Sequence, residues 1–168
     1  SFILIKLFLV QFCNHKLNFS PNSYPKEIVV KQDKDLLKHL SSTLTDDKGL
    51  PMFLNKESID LITLWFKTPE AAHDCISVIL NAANDSRKEA MEQIGRHELY
   101  FEDYQDELKR EVTRRLRRYF NKMRTAKPGE IKNPRNYLYT TMRNTFDKWQ
   151  NDLLQAEKEQ KDREENSK

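Results

Sequence analysis

The sequence contains little glycine and little cysteine. Only three glycines occur in 168 residues, and each lies between segments of helical pattern. A β-rich fold needs more glycine in its turns, so the scarcity argues against such a fold and against glycine-rich loops that bind phosphate. The two cysteines, Cys13 and Cys75, are far apart in the sequence and do not suggest a disulfide framework. We therefore expect the protein to work in the reducing cytoplasm.

The residue patterns of catalytic and metal sites are also missing. The four histidines lack the close spacing of metal ligands, and the sequence has no C-x-x-C pair. Cys13 and His15 flank one residue, but no second pair accompanies them. The sequence shows neither a Ser-His-Asp pattern nor a nucleophile elbow. We expect no metal, no cofactor and no enzymatic activity.

An apolar run, SFILIKLFLVQFC, begins the sequence. Lys6 and Gln11 interrupt it, and it is too short to span a bilayer, so we expect no membrane partner. Its residues suit a buried strand or a buried helix, and periodicity does not decide between the two. The first residue is not Met. Two interpretations of the run remain open, a buried core segment and the severed edge of a longer protein, and the missing Met agrees with the second.

Positive charge is concentrated in one helical segment. Apolar residues recur there every three or four positions, which predicts a single apolar stripe on a helix: Tyr104, Leu108, Val112, Leu116, Phe120 and Met123. From Lys109 to Lys127, nine cations accompany one acid, Glu111, which gives a local net charge of +8 against +3 for the whole chain. Such a concentrated field is the feature of the sequence most indicative of function.

Periodicity and capping signals predict an all-α protein, a compact bundle of about five helices. Helices are expected from Asp33 to Leu44, after Asn55, after Thr68-Pro69, from about Glu102, and after Asn133-Pro134. We expect an N-terminal segment at 1–30, a helical domain at 31–154 and a charged tail at 155–168. The tail is expected to be a fraying helix end or disordered. The side chains of Trp65, Trp149, Tyr137, Leu138 and Met142 are expected to be buried.

The cations predict contacts with nucleic-acid phosphates, because each neutralised phosphate releases counterions. The expected phosphate contacts on the basic helix are Arg114, Arg115, Arg117, Arg118, Lys122 and Arg124. On the last helix, Arg135, Tyr139 and Arg143 are spaced four apart and share a face, where arginine can hold phosphate and tyrosine can stack on an unpaired base. Two other interpretations remain open: an ordinary solvated helix face, and a surface that docks on an acidic protein.

The span from about Asn55 to Trp149 resembles the C-terminal helical part of replication initiators from plasmids and mobile elements of low-GC Gram-positive bacteria. The likeness rests on the helix start at Thr68–Ala71, the LKREVTRRLRRYF helix and the closing IKNPRNYLYTTMRN. It implies a module that works beside an upstream winged-helix domain, with DNA and replication proteins as partners.

A second resemblance covers Tyr104 to Trp149, which looks like region two of a bacterial sigma factor. In such proteins an acid-started helix precedes a helix like NPRNYLYTTMRN. This resemblance implies a role in transcription initiation, with Tyr137, Tyr139, Arg143 and Trp149 near the strand-separating face.

Overall fold

A computed structural model of the chain describes residues 26–44, 53–94 and 105–166. Within these ranges all regular structure is helical, which confirms the predicted all-α class. The helices are α1 (Lys26–Leu44), α2 (Lys56–Trp65), α3 (Pro69–Ile94), α4 (Gln105–Thr125) and α5 (Pro134–Asn166). The predictions for residues 1–13 lie outside the described residues.

Side-chain caps begin the helices where the sequence predicts them. The Asn55 side-chain oxygen accepts a hydrogen bond from the Ser58 amide at 2.8 Å, and that of Asn133 accepts one from the Asn136 amide at 2.9 Å. Each bond satisfies an amide that the first helical turn leaves without a backbone partner. Pro134 follows the Asn133 cap, in the first helical position, where its missing N–H removes no helical bond.

The chain divides into two compact units, Ser1–Ser77 and Val78–Lys168. In the N-terminal unit α1 packs against α2. The fully or nearly fully buried apolar side chains of this unit include Phe53, Leu54, Ile59, Ile62, Ala72, Cys75 and Ile76. Each large apolar side chain removed from water contributes about 1.5–3 kcal/mol, so this cluster holds the unit together.

In the C-terminal unit α4 packs against α5. The apolar stripe predicted for α4 is buried, with Leu108, Val112 and Leu116 each at 0% exposure. The last helix contributes Leu138, Met142, Phe146 and Trp149 to the buried set. The core of this unit is thus made by the three- and four-residue periodicity of both helices.

Four expectations need correction or extension. The first helix begins at Lys26 rather than Asp33. The side chains of Trp65 and Tyr137, expected in the core, are each 37% exposed. Helix α5 continues to Asn166 through the expected charged tail. Hydrogen bonds and ion pairs between side chains four residues apart support this end of the helix, such as Gln155 with Glu159 at 3.2 Å.

Candidate nucleic-acid interface

The outward face of α4 carries a row of arginines. Positions 110, 114, 117, 121 and 124 are separated by four, three, four and three residues, so they lie on one side of the helix. All five side chains are exposed, and four of them are arginine: Arg110, Arg114, Arg117 and Arg124. We call these four residues the outer row. From Arg110 to Arg124 there are fourteen residue steps, which correspond to about 21 Å of helix.

Asn121 lies on the same face, between Arg117 and Arg124, and contacts Arg124. The Arg124 guanidinium donates to the Asn121 side-chain oxygen at 3.5 Å. Arg118 is also exposed, one position beyond Arg117. The buried stripe of Leu108, Val112 and Leu116 occupies the other side of the helix. The arginines of the outer row are therefore exposed because the same helix must bury its apolar face.

Glu111 of α4 pairs with two arginines, of which one belongs to the outer row. Its carboxylate accepts hydrogen bonds from Arg114 and, at 2.9 Å, from the Nε of Arg115. Partial burial alone would raise the pKa of Glu111, but these bonds and the two positive charges outweigh it and lower that pKa below its ordinary value. The Arg114 side chain is still 56% exposed, whereas that of Arg115 is 29% exposed.

A second acid, Glu130, pairs with one lysine near the C-terminal end of α4. It lies in the loop between α4 and α5, accepts a hydrogen bond from Lys122 and accepts another from the Lys127 amide at 3.0 Å. The Lys122 bond and the Lys127 bond lower the pKa of Glu130. Gly129, with a φ of 84°, provides the left-handed backbone position that turns this loop. Lys122 therefore helps to fix the loop, with its side chain 42% exposed.

Side chains of α5 meet carboxylates of α3 within the C-terminal unit. The Arg143 Nε donates to both carboxylate oxygens of Asp147, at 2.9 and 3.0 Å, and its terminal nitrogen donates to Glu89. The Tyr139 hydroxyl donates to Asp85 at 2.8 Å. Burial alone would lower the pKa of Arg143, but the hydrogen bonds with Asp147 and its other partners raise it.

Two further polar groups complete this network. Ser86 on α3 is buried, and its hydroxyl donates to the same carboxylate of Asp147. The buried amide of Gln150 donates to the Ser86 hydroxyl at 3.2 Å. Buried polar groups need such partners, because an unmade hydrogen bond costs about 1–3 kcal/mol. The network therefore joins α3 to α5 and has a structural role.

The network corrects the expected surface on the last helix. Of the three residues predicted to share an outward face, only Arg135 is exposed. Tyr139 and Arg143 turn towards α3, and the Arg143 side chain is only 18% exposed. The two residues therefore do not extend the cationic surface of α4.

One residue of the outer row was missing from the contacts expected on sequence grounds. Arg110 was not among them, although it lies one helical turn before Arg114 and is exposed. The signal was present in the sequence, since positions 110, 114, 117 and 124 follow the spacing of a single helix face. Arg115 and Lys122, which were expected contacts, lie on another side of α4 beside their acids.

A shallow groove of about 420 Å³ lies beside the outer row, between α4 and α5. Its lining includes three acids and Thr145 and Trp149, and its cations are Arg110, Arg114, Arg115 and Lys148. The lining of this groove therefore combines cations and acids in nearly equal number.

Neither a membrane span nor a metal cluster occurs in the described ranges. No helix there combines the length and the apolar character needed to cross a bilayer. Histidine, cysteine and acidic side chains form no group of three or more that could hold a metal ion, again within residues 26–44, 53–94 and 105–166.

The fold and the site together define an all-α protein in which α4, the most cationic of the described helices, presents a row of four arginines to solvent. The family model of the replication initiator protein A C-terminal domain matches residues 13–148, and the chain belongs to this family. The first of the two resemblances found in the sequence is thereby confirmed.

A curated relative shares most of this chain. The "41 kDa protein" of Lactobacillus helveticus is 70% identical over 142 residues, which cover 84% of this chain and 40% of that protein. The chain thus spans about two fifths of the length of that relative. No solved structure matches the chain.

Proposed function

We propose that the C-terminal unit binds the phosphate backbone of DNA through α4, as part of the work of a replication initiator. The observation that supports this most directly is the outer row, with four exposed arginines on one face of a helix. Membership in the family of the replication initiator protein A C-terminal domain supports a role in replication initiation.

The outer row has dimensions that suit a nucleic-acid backbone. Its length of about 21 Å corresponds to about six base-pair steps of 3.4 Å. Arginine holds phosphate through several donors of fixed geometry, so each arginine in the row can neutralise a phosphate and release counterions. Contacts of this kind position a protein on DNA without reading its sequence.

We propose a binding role rather than a catalytic one. The acids with lowered pKa values, Glu111 and Glu130, obtain them from ion pairs with neighbouring cations. Ion pairs of this kind stabilise local structure, whereas a catalytic acid or base needs a pKa near the working pH. The function then depends on the charge that α4 presents to its partner.

The salt dependence of DNA affinity tests the proposal. Fluorescence anisotropy with a labelled duplex of mixed sequence, at several salt concentrations, would compare the wild type with Arg110→Gln/Arg117→Gln/Arg124→Gln. If each arginine contacts one phosphate, the slope of log affinity against log salt falls by about 2.7 and the affinity at low salt falls by at least about tenfold.

A matched control separates the outer row from net charge. The variant Lys158→Gln/Lys161→Gln/Arg163→Gln removes the same three charges from exposed positions near the end of α5. We expect it to retain nearly wild-type affinity. Equal losses in the two variants, or a wild type that fails to bind duplex even at low salt, would reject the proposal.

A groove in the N-terminal unit supports a second candidate function, which is binding of a replication protein. This groove, of about 950 Å³ between α1 and α2, has apolar side chains that include Val30, Leu37 and Leu64, and Leu64 is 75% exposed. Four lysines and two aspartates also line it: Lys34, Lys38, Lys56, Lys67, Asp33 and Asp60. An apolar floor with excess positive charge favours an acidic amphipathic segment.

A single substitution distinguishes this candidate from DNA binding. Leu64→Ser should weaken binding of purified host replication proteins and leave DNA affinity unchanged. The matched control is Met91→Ser, at an apolar side chain of the C-terminal unit that is 42% exposed. Equal effects of the two substitutions on protein binding would argue against the groove.

A further inference from the structure

Tyr137 presents a partly exposed aromatic ring beside the cationic helix. It lies in the first turn of α5, and its side chain is 37% exposed. One face of its ring stacks on Tyr119 of α4, with ring centroids 5.8 Å apart and an interplanar angle of 29°. A large aromatic ring that is covered on one side and exposed on another can accept a further planar group.

Tyr119 holds the Tyr137 ring in place. Its side chain is 5% exposed, and its hydroxyl donates to the Pro134 carbonyl at 3.1 Å. Its ring also meets the ring of Phe120 edge to face, at 5.2 Å and 66°. The Tyr119 side chain is thus in contact with Pro134, Phe120 and Tyr137, and it supports the Tyr137 ring. Stacking of a partner on Tyr137 then costs little conformational entropy.

Cations lie on the adjoining side of α4. Arg115, Arg118 and Lys122 are separated by three and four residues, so they share one side of the helix. Lys122 lies three residues after Tyr119 on the same helix, about one turn from the ring on which Tyr137 stacks. At the other end of this set, Arg115 lines the groove that also contains Lys148. From Arg115 to Lys122 the distance along the helix is about 10 Å.

We propose that Tyr137 is a stacking platform for an unpaired base, so that this surface prefers single-stranded DNA to duplex DNA. In a duplex both faces of a base are covered by its neighbours, and the ring has no face on which to stack. In a single strand the bases can turn outward, stack on an aromatic side chain and leave their phosphates to nearby cations. The inference rests on the proposed function, because it requires that α4 binds phosphate.

The test compares two DNA forms and three substitutions at one position. Anisotropy titrations would use a labelled oligo-dT of about 20 nucleotides and a labelled duplex of about 20 base pairs. Tyr137→Ala should weaken oligo-dT binding by about tenfold and leave duplex binding within about twofold. Tyr137→Phe retains the ring and should retain affinity. Tyr137→Leu retains an apolar contact with Tyr119 but no aromatic face, and it should behave like the alanine variant.

Trp65→Ala is the matched control, because Trp65 is also 37% exposed but belongs to the N-terminal unit. We expect no effect of this substitution on either DNA. If Tyr137→Leu bound oligo-dT with wild-type affinity, the stacking platform would be wrong. If the outer-row variant still weakened binding of both DNA forms in that case, the proposed function would remain intact. Absence of binding to both DNA forms by the wild type would overturn both.

Discussion

Arg114 on α4 and Arg143 on α5 lie in the same unit but differ in exposure and in the helices that supply their acid partners. Both follow an amphipathic pattern, and both pair with an acid on their own helix, Glu111 and Asp147 respectively. The Arg114 side chain is nevertheless 56% exposed, whereas that of Arg143 is 18% exposed. The difference arises from α3, which brings Glu89 to Arg143. When a second helix provides an acid, the arginine pairs with it and stabilises the fold. Its charge is then not available to a binding partner.

The comparison predicts the largest effect for Arg143→Leu. Removal of the guanidinium leaves Asp147 and Glu89 close together without their cation, and hydrogen bonds to charged groups contribute about 1.5–3 kcal/mol each. We expect the free energy of unfolding to fall by about 2–3 kcal/mol, measured by urea denaturation at neutral pH. DNA affinity of the folded variant should stay close to that of the wild type.

Arg117→Leu is the matched substitution on the exposed face of α4. It should change the free energy of unfolding by less than about 0.5 kcal/mol, as is usual at surface positions, while it weakens DNA binding. A double-mutant cycle of Arg143→Leu with Glu89→Gln would measure the coupling across the helices. If the two leucine variants lost stability equally, the distinction between the two arginines would be wrong.

The fold was largely predictable from sequence because its signals are local. Helix starts depend on a cap and a proline within three residues, as at Asn133 and Pro134, and buried stripes depend on spacing within one helix. The exposed row on α4 is also local, because burial of Leu108, Val112 and Leu116 on one side of the helix places its arginines on the other. One helix therefore contains most of the information needed to locate the cationic surface.

The contacts of Tyr139 and Arg143 with acids of α3 were not predictable from local signals. Their partners Asp85 and Glu89 lie 54 residues earlier in the chain, and Ser86 lies 61 residues before Asp147. Helical spacing places residues on a face but does not say which other helix covers that face. Long-range polar pairing of this kind becomes visible only in the structure.

A smaller change in the free energy of unfolding is expected when a tyrosine of α5 is substituted. Tyr139→Phe removes the hydrogen bond to Asp85 and should lower the free energy of unfolding by about 1 kcal/mol. Tyr137→Phe should have no comparable effect, because the stack on Tyr119 needs only the ring. Both values follow from urea denaturation under identical conditions. Equal stability of the two phenylalanine variants would show that the α3–α5 contact contributes less than its geometry indicates.

The smallest predicted effect is a change in DNA affinity on substitution of Glu111, an acid of α4. Glu111→Gln removes the acid that pairs with Arg114 and Arg115, which leaves both arginines available to phosphate. We expect DNA affinity to rise by about threefold at low salt, since an ion pair at this exposure contributes less than about 1 kcal/mol. Glu165→Gln, at an exposed position of α5, removes the same charge and should leave affinity unchanged.

The pH dependence of the same substitution indicates whether the ion pair stabilises the folded protein. The pKa of Glu111 in the folded chain is below its ordinary value of 4.5, because the hydrogen bonds and charges of Arg114 and Arg115 outweigh its partial burial. A lowered pKa means that the unfolded chain binds the proton more readily, so the stabilisation is present above the unfolded pKa and is lost as the pH falls through the folded value. The difference in unfolding free energy between the wild type and Glu111→Gln should therefore be small and constant near neutral pH, and should decrease below about pH 4.5. A difference that grew on acidification would mean that Glu111 is stabilised as the neutral acid, and that Arg114 and Arg115 are already available to DNA.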